Sequence, residues 1–463
     1  MFSKQIYQQR REILSKSVSG GGVALFLGND EMPMNYAANT YHFRQDSTFL
    51  YYFGLDLPGL AAVIDLETNQ SRIFGDEISL EDIIWMGPQQ TLKSRAENVG
   101  VQETLPSRQL AEFIRKAIQS GRTVHYLPMY QDRQTNKLID LLNPDKSAID
   151  AGVSINLIQA VIDQRSVKSE IEIEEIEKAH VTTREMHITA MKMARPGIYE
   201  REIAGTIEGI ALSSGGNIAF PVILSVRGEI LHNHYHHNLL RDGDMLINDS
   251  GAESQMHYAS DITRTIPVNG RFSDKQKDIY EIVLQAQVET ISAIKPDQKN
   301  KTLHLQAATI ISRGLKDVGL MKGNTEDAVT NGAHALFFPH GLGHMLGLDV
   351  HDMENLGEDH VGYNGETKRS DQFGLAYLRL GKNLKTGYVL TIEPGIYFIP
   401  ELIKKWKGEN KFTEYINYDR LESYHNFGGI RIEDNIVVTE TGQRIIGKPI
   451  PKTVPEVEKM CQE

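Results

Sequence analysis

Cysteine is almost absent from this sequence, since Cys461 is the only one among 463 residues. A single cysteine cannot form an intrachain disulfide, and its place at the extreme C-terminus makes it a poor candidate for a nucleophile. The sequence therefore excludes a disulfide-stabilised fold and argues against thiol catalysis.

An excess of basic side chains is also missing. Lys and Arg number 49 against 61 Asp and Glu, which gives a formal net charge of -12. Proteins bind nucleic acids largely by placing basic side chains on the phosphates. We therefore expect no nucleic-acid partner.

Long apolar runs are missing as well. No stretch approaches the ~20 apolar residues of a membrane helix. The opening segment MFSKQIYQQRREILSKS lacks the apolar core of a signal peptide. We therefore expect no membrane partner and, by default, a cytoplasmic location.

The sequence does contain the composition of an ordinary globular protein, 40% hydrophobic and 24% charged, with enough residues for two domains. In the first part, short apolar strands (VALFLG, LAAVIDL, TVHYLP) alternate with charged helical stretches such as SRQLAEFIRKAI. This alternation predicts a mixed sheet covered by helices. Near residue 165 the pattern of short strands gives way to long helical stretches. We therefore expect one domain over residues 1–165 and a second over residues 166–463.

The second part contains two helix starts. Ser169 with Glu172, and Ser273 with Gln276, have the spacing of a capping box, which predicts a long helix after each pair. The stretch from residue 354 to 381 is rich in Gly, Asp and Lys, which predicts a long surface excursion that faces a substrate.

Four carboxylates and one imidazole stand out in the second part, each in a short apolar strand or a glycine-rich turn. They are Asp249 in MLINDSG, Asp261 in YASDITRT, His344 in HGLGH, Glu393 in VLTIEPG and Glu433 in GGIRIEDN. Carboxylates are hard oxygen donors that bridge cations, and an oxygen-rich set with one histidine suits manganese or cobalt better than structural zinc. If the five converge, the sequence predicts a hydrolase in which two metals about 3.5–4 Å apart activate a water.

The strand period supports part of this arrangement. In GGIRIEDN, Ile430 and Ile432 are expected on one side, and Arg431 and Glu433 on the other, so that Arg431 steadies the carboxylate beside it. The residues SGAESQMH predict a hairpin that brings the two aspartates together.

Each motif alone has a simpler interpretation. DSG is a common turn, Glu393 is compatible with an ordinary strand end, and Glu433 with a solvated face. HGLGH has the spacing of the zincin motif HExxH but lacks its glutamate, and its glycines disfavour a helix. The tract HNHYHHN is either a metal-binding segment or a polar loop in which one histidine has a role.

Taken together, the ordered segments ILHNHYHHN, NDSGAE, YASDITRTIPVNGRFS, HGLGHMLGLDVHD, TIEPGIYF and GGIRIEDNIVVTETG closely resemble the Xaa-Pro peptidases of the pita-bread fold, aminopeptidase P and prolidase. The resemblance covers nearly the whole chain, since YHFRQDSTFLYYFGLDLPG is similar to their non-catalytic N-terminal domain. It implies an α/β (α+β) protein, with an N-terminal mixed-sheet α/β domain followed by a pita-bread catalytic domain.

The resemblance implies two divalent metal ions, Mn²⁺ first, with Co²⁺, Zn²⁺ and Fe²⁺ as alternatives. Asp249 would bind one ion, His344 and Glu393 the other, and Asp261 and Glu433 would bridge them. Glu393 would also act as the general base.

Further roles follow from the same resemblance. His232 would stabilise the tetrahedral intermediate, and His340 and His351 would contact the substrate, although His351 is also compatible with a purely supporting role. Arg431 matches an arginine beside the bridging glutamate. Arg379 falls where prolidases place an arginine that holds the carboxylate of a dipeptide.

The expected function is that of an Xaa-Pro aminopeptidase, with prolidase as the alternative and a silent peptide-binding homologue or a metal-free, creatinase-like hydrolase as remote ones. The expected partners are proline-containing peptides or dipeptides, and the expected assembly is a homodimer or homotetramer.

Two details depart from the family. The gap from Asp249 to Asp261 is one residue longer than expected, so the extra residue must lie in the turn or form a bulge. Asn248 occupies a strand position where an apolar residue is more typical.

Overall fold

The computed structural model describes all 463 residues, which form two compact units. The first unit consists of Met1–Arg165 and Asn355–His360, and the second of Ser166–Glu354 and Val361–Glu463. The main segment of the first unit ends at the residue where the N-terminal domain is expected to end. The short segment Asn355–His360 was not expected in it.

The first unit contains a mixed five-stranded sheet in the order β6-β5-β4-β1-β7 and a separate hairpin, β2-β3. Its strands are β1 (Val23–Leu27), β2 (Pro33–Tyr36), β3 (Asn39–Thr40), β4 (Ala61–Asp65), β5 (Ser71–Phe74), β6 (Glu103–Leu105) and β7 (Val124–His125). β1 is antiparallel to β4 and parallel to β7. The mixed sheet predicted from the alternation of strands and helices is confirmed.

Helices accompany this sheet. They are α1 (Lys4–Ser17), α2 (Ser47–Phe53), α3 (Leu80–Met86), α4 (Leu92–Asn98), α5 (Leu110–Gln119), α6 (Asp132–Leu142), α7 (Lys146–Ala151) and α8 (Ile155–Ser166). α5 buries Leu110, Ile114 and Ala117, which are spaced one helical turn apart and pack in the same core as Val23 and Val63 of the sheet. The helical spacing of this segment therefore covers one face of the sheet.

The strands of the second unit form two three-stranded sheets, β10-β9-β8 and β11-β14-β15, and a two-stranded pair, β12-β13. They are β8 (Ile223–Ser225), β9 (Met245–Ser250), β10 (Ile262–Pro267), β11 (Val389–Ile392), β12 (Gly395–Tyr397), β13 (Gly429–Arg431), β14 (Asp434–Val438) and β15 (Gln443–Ile445). All of them are antiparallel. Every residue from β8 to β14 in these strands is buried, so polar side chains on them must find partners inside the protein.

The helices from residue 166 onward are α9 (Glu170–Met193), α10 (Glu200–Ser213), α11 (Asp274–Ala293), α12 (Asn300–Asp317), α13 (Thr325–Asn331), α14 (Glu358–Gly362), α15 (Pro400–Gly408), α16 (Tyr418–Leu421) and α17 (Val454–Gln462). Both predicted capping boxes are present: the Ser169 backbone N–H donates to Glu172 at 3.0 Å, and the Ser273 N–H donates to Gln276 at 2.8 Å. No helix of the chain is both long and apolar enough to cross a membrane.

The excursion from residue 354 to 381 differs from its prediction as a surface loop. Val361, Tyr363, Leu375, Leu378 and Leu380 are buried along it. The sequence pattern missed this because these apolar residues are separated by Gly, Asp and Lys and follow neither a helical nor a strand period. The part of the excursion from Val361 onward therefore contributes to the core of the second unit.

Candidate functional site

The two aspartates of the candidate site lie on the β9–β10 hairpin. Asp249 is opposite Thr263, and the pairing continues without a register shift to the bridge between Glu253 and Ala259. The turn is closed by the Ser254 N–H, which donates to the Tyr258 carbonyl at 2.8 Å, and His257 within it has a φ of 65°. The paired part of the hairpin therefore contains no bulge, which leaves the turn as the place for the extra residue that the resemblance implies.

Close backbone contacts fix the segments that carry the site. A Cβ on Gly251, two residues after Asp249, would lie 1.7 Å from the Ser260 carbonyl oxygen, and one on Gly343 would lie 1.9 Å from that of Thr391. Only glycine permits these approaches. The glycines of NDSG and HGLGH thus allow neighbouring strands to bring their ligands together.

The other three candidate ligands lie beside or at the ends of strands β11, β13 and β14. His344 is held beside β11, where its backbone N–H donates to the Thr391 hydroxyl at 3.1 Å. Glu393 follows β11, and its N–H donates to the Leu342 carbonyl at 2.8 Å. Glu433 lies between β13 and β14, and its N–H donates to the Thr263 carbonyl at 3.1 Å. The site is therefore assembled where three strand pairs meet.

These side chains converge. The ligand atoms of Asp261, His344 and Glu433 lie within 4.8 Å of one another. His344 Nε2 is 3.4 Å from Asp261 Oδ2 and 3.7 Å from Glu393 Oε1. Three buried carboxylate oxygens have no hydrogen-bond partner, namely Asp249 Oδ1, Asp261 Oδ1 and Glu433 Oε1. Unpaired buried carboxylate oxygens are costly, so this cluster fits bound cations.

The charges of the cluster support the same conclusion. Burial raises the pKa of Asp261, and the charges of Asp249 and Glu393 raise it further. Burial likewise raises the pKa of Glu433 and of Glu393. Burial also lowers the pKa of His344, whose Nδ1 is 3.0 Å from the Met345 carbonyl, so Nε2 offers a lone pair to the cluster. A hard, oxygen-rich donor set with one neutral imidazole is suited to divalent metal ions.

Arg431 binds one carboxylate of the site directly and is linked to a second through a hydroxyl. Its Nη2 donates to Asp249 Oδ2 at 2.6 Å, and its Nε donates to the Thr263 hydroxyl at 3.1 Å. That hydroxyl in turn donates to Glu433 Oε2 at 2.7 Å. Arg431 is therefore linked to Glu433 only through the Thr263 hydroxyl, because its long side chain reaches across to Asp249 on β9.

Tyr397 is a site residue that the sequence interpretation missed. Its hydroxyl accepts from Arg431 Nη1 at 2.8 Å and lies 2.8 Å from His340 Nε2. His340 Nδ1 is 2.8 Å from the Gly341 carbonyl, which can only accept, so Nε2 accepts from the tyrosine. The signal was present in TIEPGIYF, four residues after Glu393, but the motif alone does not show what the hydroxyl contacts.

A cavity of about 570 Å³ opens onto the cluster. Its polar wall includes His232, His234, His340, His351 and Arg379, together with the five candidate ligands and Arg431. Phe373 and Tyr377 also line it, so the excursion does face the cavity as predicted. Two histidines of HNHYHHN line the cavity rather than one.

The loop that carries His232 is held at both ends by one buried carboxylate. Glu200 Oε1 accepts from the Val226 N–H at 2.8 Å, and Oε2 accepts from the Asn238 N–H at 3.1 Å. Burial lowers the pKa of His232, and it lowers the pKa of His340 to about 3. His232 and His340 are therefore neutral at neutral pH, and each ring offers one donor and one acceptor nitrogen.

The family of the chain follows from comparison with known proteins. Residues 174–440, more than half of the chain, match the model of Metallopeptidase family M24. The chain belongs to this family. Residues 7–126 match the model described as Aminopeptidase P, N-terminal domain. The resemblance found in the sequence is confirmed.

Relatives of this M24 peptidase carry two different names. The Xaa-Pro dipeptidase of Rattus norvegicus is 31% identical over 456 residues, covering 96% of this chain and 89% of the relative. A probable Xaa-Pro aminopeptidase pepP of Aspergillus fumigatus is 30% identical over 432 residues, covering 90% of this chain and 88% of the relative.

Among solved structures, aminopeptidase P from Escherichia coli with the inhibitor Pro-Leu matches with a TM-score of 0.82 and 28% identity, covering 100% of this chain and 98% of that one. Aminopeptidase PepP from Pseudomonas aeruginosa matches with a TM-score of 0.82 and 27% identity over the same shares. The expected fold class, with a pita-bread catalytic domain, is confirmed.

Asn248 of this M24 peptidase has a structural explanation. Its Nδ2 is 3.2 Å from Nδ1 of His187 on α9, and its Oδ1 accepts from the Ser250 hydroxyl at 3.0 Å. His187 Nε2 is 3.1 Å from the Ser250 carbonyl. The amide and the imidazole satisfy each other in the core behind Asp249, which is why an apolar residue is not required there.

Proposed function

We propose that this M24 metallopeptidase hydrolyses the bond between an N-terminal residue and a following proline, as an Xaa-Pro aminopeptidase with two divalent metal ions. The observation that carries the proposal is the buried cluster of carboxylates with unpartnered oxygens at the base of the cavity. The names of the relatives and of the matching structures support the Xaa-Pro specificity.

Asp249, Asp261, His344, Glu393 and Glu433 are proposed to hold the two metals. Oxygen-rich ligation favours Mn²⁺, with Co²⁺, Zn²⁺ and Fe²⁺ as alternatives. When bound, such a metal pair supplies an activated water and polarises the carbonyl that the water attacks.

The protein side chains supply the proton transfer and the alignment. Glu393, a carboxylate buried at the base of the cavity, is proposed to accept the proton of the attacking water as the general base. His232 donates to the oxygen of the tetrahedral intermediate, and His340 and His351 contact the substrate. Arg431 holds the Asp249 carboxylate in place through the contact at 2.6 Å.

The cavity wall suits a proline-containing peptide. Phe220, Ile223, Phe373 and Leu402 give it an apolar surface against which a pyrrolidine ring packs. Proline forms a tertiary amide without an N–H, so the site need not offer an acceptor to that nitrogen.

Prolidase activity is the second candidate, and a specific observation favours it. Arg379 lines the cavity, and its side chain is 33% exposed, so a guanidinium is within reach of a substrate. Guanidinium groups bind the free carboxylate of a dipeptide with matching geometry.

One experiment tests the shared part of both candidates. Purified protein would be analysed for bound metal and assayed, with and without added Mn²⁺, on an Xaa-Pro dipeptide, an Xaa-Pro-Yaa tripeptide and the matching Xaa-Ala peptides. We expect bound divalent metal and cleavage only of the proline peptides. Protein without divalent metal and without Xaa-Pro hydrolysis would contradict the proposal.

A homodimer or homotetramer is also proposed. The helix α3 of the first unit exposes a group of large apolar side chains, including Leu80 at 73%, Ile84 at 71% and Trp85 at 80%. Exposed apolar groups of this kind are typical of protein interfaces. The mass in solution would test the assembly, and the cytoplasmic location stays a prediction.

A further inference from the structure

Glu354 connects two residues of the cavity wall. Its Oε2 is 2.8 Å from Nδ1 of His351, and its Oε1 is in close contact with Nη1 of Arg379. The three side chains are only 29–33% exposed. His351 and Arg379 line the cavity, whereas Glu354 does not, so the carboxylate contacts both residues from behind.

This arrangement changes what Arg379 offers to a substrate. A guanidinium has one positive charge, and here a carboxylate of the protein already balances it. A second carboxylate, from a substrate, would meet a neutral pair and the repulsion of Glu354. A neutral peptide carbonyl at the same place would not meet that repulsion.

The contact of Glu354 with His351 also opposes the separation of Glu354 from Arg379. Because a carboxylate accepts, His351 Nδ1 carries the proton toward Glu354, and Nε2 is the ring nitrogen left for other contacts. A substrate carboxylate that drew Arg379 away from Glu354 would disturb the acceptor that fixes His351. Both contacts therefore favour the arrangement that is already present.

We propose that Glu354 determines the length of peptide that the enzyme accepts. It neutralises Arg379 and so disfavours Xaa-Pro dipeptides, whose free carboxylate directly follows proline. It leaves Xaa-Pro-Yaa and longer peptides as substrates. The inference rests on the proposed Xaa-Pro peptidase function and decides between its two forms in favour of the aminopeptidase.

The test compares one dipeptide with and without its terminal charge. The metal-loaded wild type and the Glu354→Gln variant would be assayed for kcat/KM on Ala-Pro, Ala-Pro-amide and Ala-Pro-Ala. Glutamine still accepts from His351 but carries no charge, so cleavage of the amide and the tripeptide should change little. The ratio of Ala-Pro to Ala-Pro-amide should rise by roughly tenfold, the order expected for one partly exposed charge at contact distance.

Two further variants separate this effect from general electrostatics. Glu366→Gln removes the same charge from an exposed position on the same excursion and should leave the ratio within about twofold. In the double variant Glu354→Gln with Arg379→Met, the gain should disappear, because the guanidinium through which it acts is gone.

The outcomes are distinct. A wild type that cleaves the tripeptide, combined with an unchanged ratio in Glu354→Gln, would overturn the inference and leave the proposed function intact. A wild type that already prefers Ala-Pro over its amide by about tenfold or more, as expected for an unopposed carboxylate clamp, would also overturn it. Failure of every folded, metal-bound variant to cleave any of the peptides would overturn the proposed function as well.

Discussion

Two polar clusters lie on opposite faces of the same strands in the second unit, and they differ in how their charges are satisfied. On one face, Thr263 and Glu433 contact each other in the candidate metal site. On the other face, the next residues along the chain, Arg264 and Asp434, form an ion pair at 2.7 Å. Because side chains alternate along a strand, neighbouring residues belong to different environments.

The Arg264 cluster is closed, in the sense that its charged groups are paired with other groups of the protein. Arg264 makes five hydrogen bonds, one to the Asp434 carboxylate and four to backbone carbonyls. The other oxygen of Asp434 accepts from Lys452 Nζ at 2.6 Å and from Gln287 at 2.8 Å. The charges of Arg264 and Lys452 outweigh the effect of burial and hold the pKa of Asp434 well below its usual range.

The metal cluster is open by comparison. Its four carboxylates face one buried cation, Arg431, and three of their oxygens have no partner. Composition alone does not separate the two clusters, since both combine carboxylates and an arginine in buried strands. The number of unsatisfied buried atoms separates them, and it identifies the one that binds something.

The largest expected effect concerns the open cluster. We expect Glu393→Ala to lower kcat for an Xaa-Pro substrate by at least about a thousandfold, or ~4 kcal/mol, because it removes both the general base and a metal ligand. Circular dichroism of the metal-free variant should match that of the wild type, because Glu393 holds no other segment of the fold through its side chain. Turnover within about tenfold of the wild type would contradict the role of Glu393.

The next effect concerns the closed cluster. We expect Asp434→Ala to lower the free energy of unfolding by about 3 kcal/mol, since the fully buried Arg264 would lose its counter-charge. Denaturant unfolding of metal-free protein measures this change. Asp261→Ala is the matched control on the other face, and an equal loss of stability in both variants would show that the clusters do not differ.

A smaller effect of opposite sign is expected in the open cluster. Burial and the charges of Asp249 and Glu393 raise the pKa of Asp261, so its ionised form is unfavourable without metal. We expect Asp261→Asn to stabilise the metal-free protein by on the order of 1 kcal/mol and to abolish the stabilisation that Mn²⁺ gives the wild type. Thermal unfolding with EDTA and with Mn²⁺ measures both, and a variant that Mn²⁺ still stabilises like the wild type would argue against Asp261 as a ligand.

The contrast between the clusters also explains what the sequence predicted and what it did not. Strand periods, capping boxes and the hairpin spacing depend on neighbours along the chain, and they correctly placed Asp249 and Asp261 on one hairpin. Arg431 binds Asp249, which is 182 residues away in the chain, and Asn248 contacts His187, which is 61 residues away, so no local pattern specifies these two contacts. The same holds for the contacts of Tyr397 with His340 and Arg431 and for the contact of Glu354 with Arg379, which depend on the packing of separate segments.

The smallest expected effect concerns His187, whose imidazole contacts Asn248 in the core behind Asp249. His187 is fully buried, and burial, together with the charge of Arg264, lowers its pKa from 6.5 to about 3. The unfolded chain therefore binds a proton at a higher pH than the folded one. The stability from the neutral imidazole is complete above about pH 6.5 and is lost as the pH falls toward about 3.

Replacement of His187 by glutamine keeps an acceptor for Asn248 and a donor for the Ser250 carbonyl but removes the titration. Between about pH 7.5 and about pH 5.5, we expect the wild type to lose on the order of 1 kcal/mol more unfolding free energy than His187→Gln. Urea unfolding in EDTA measures the difference and excludes a contribution from metal release. The carboxylates of the open cluster are common to both proteins, so equal pH dependence would show that His187 is not held neutral in the fold.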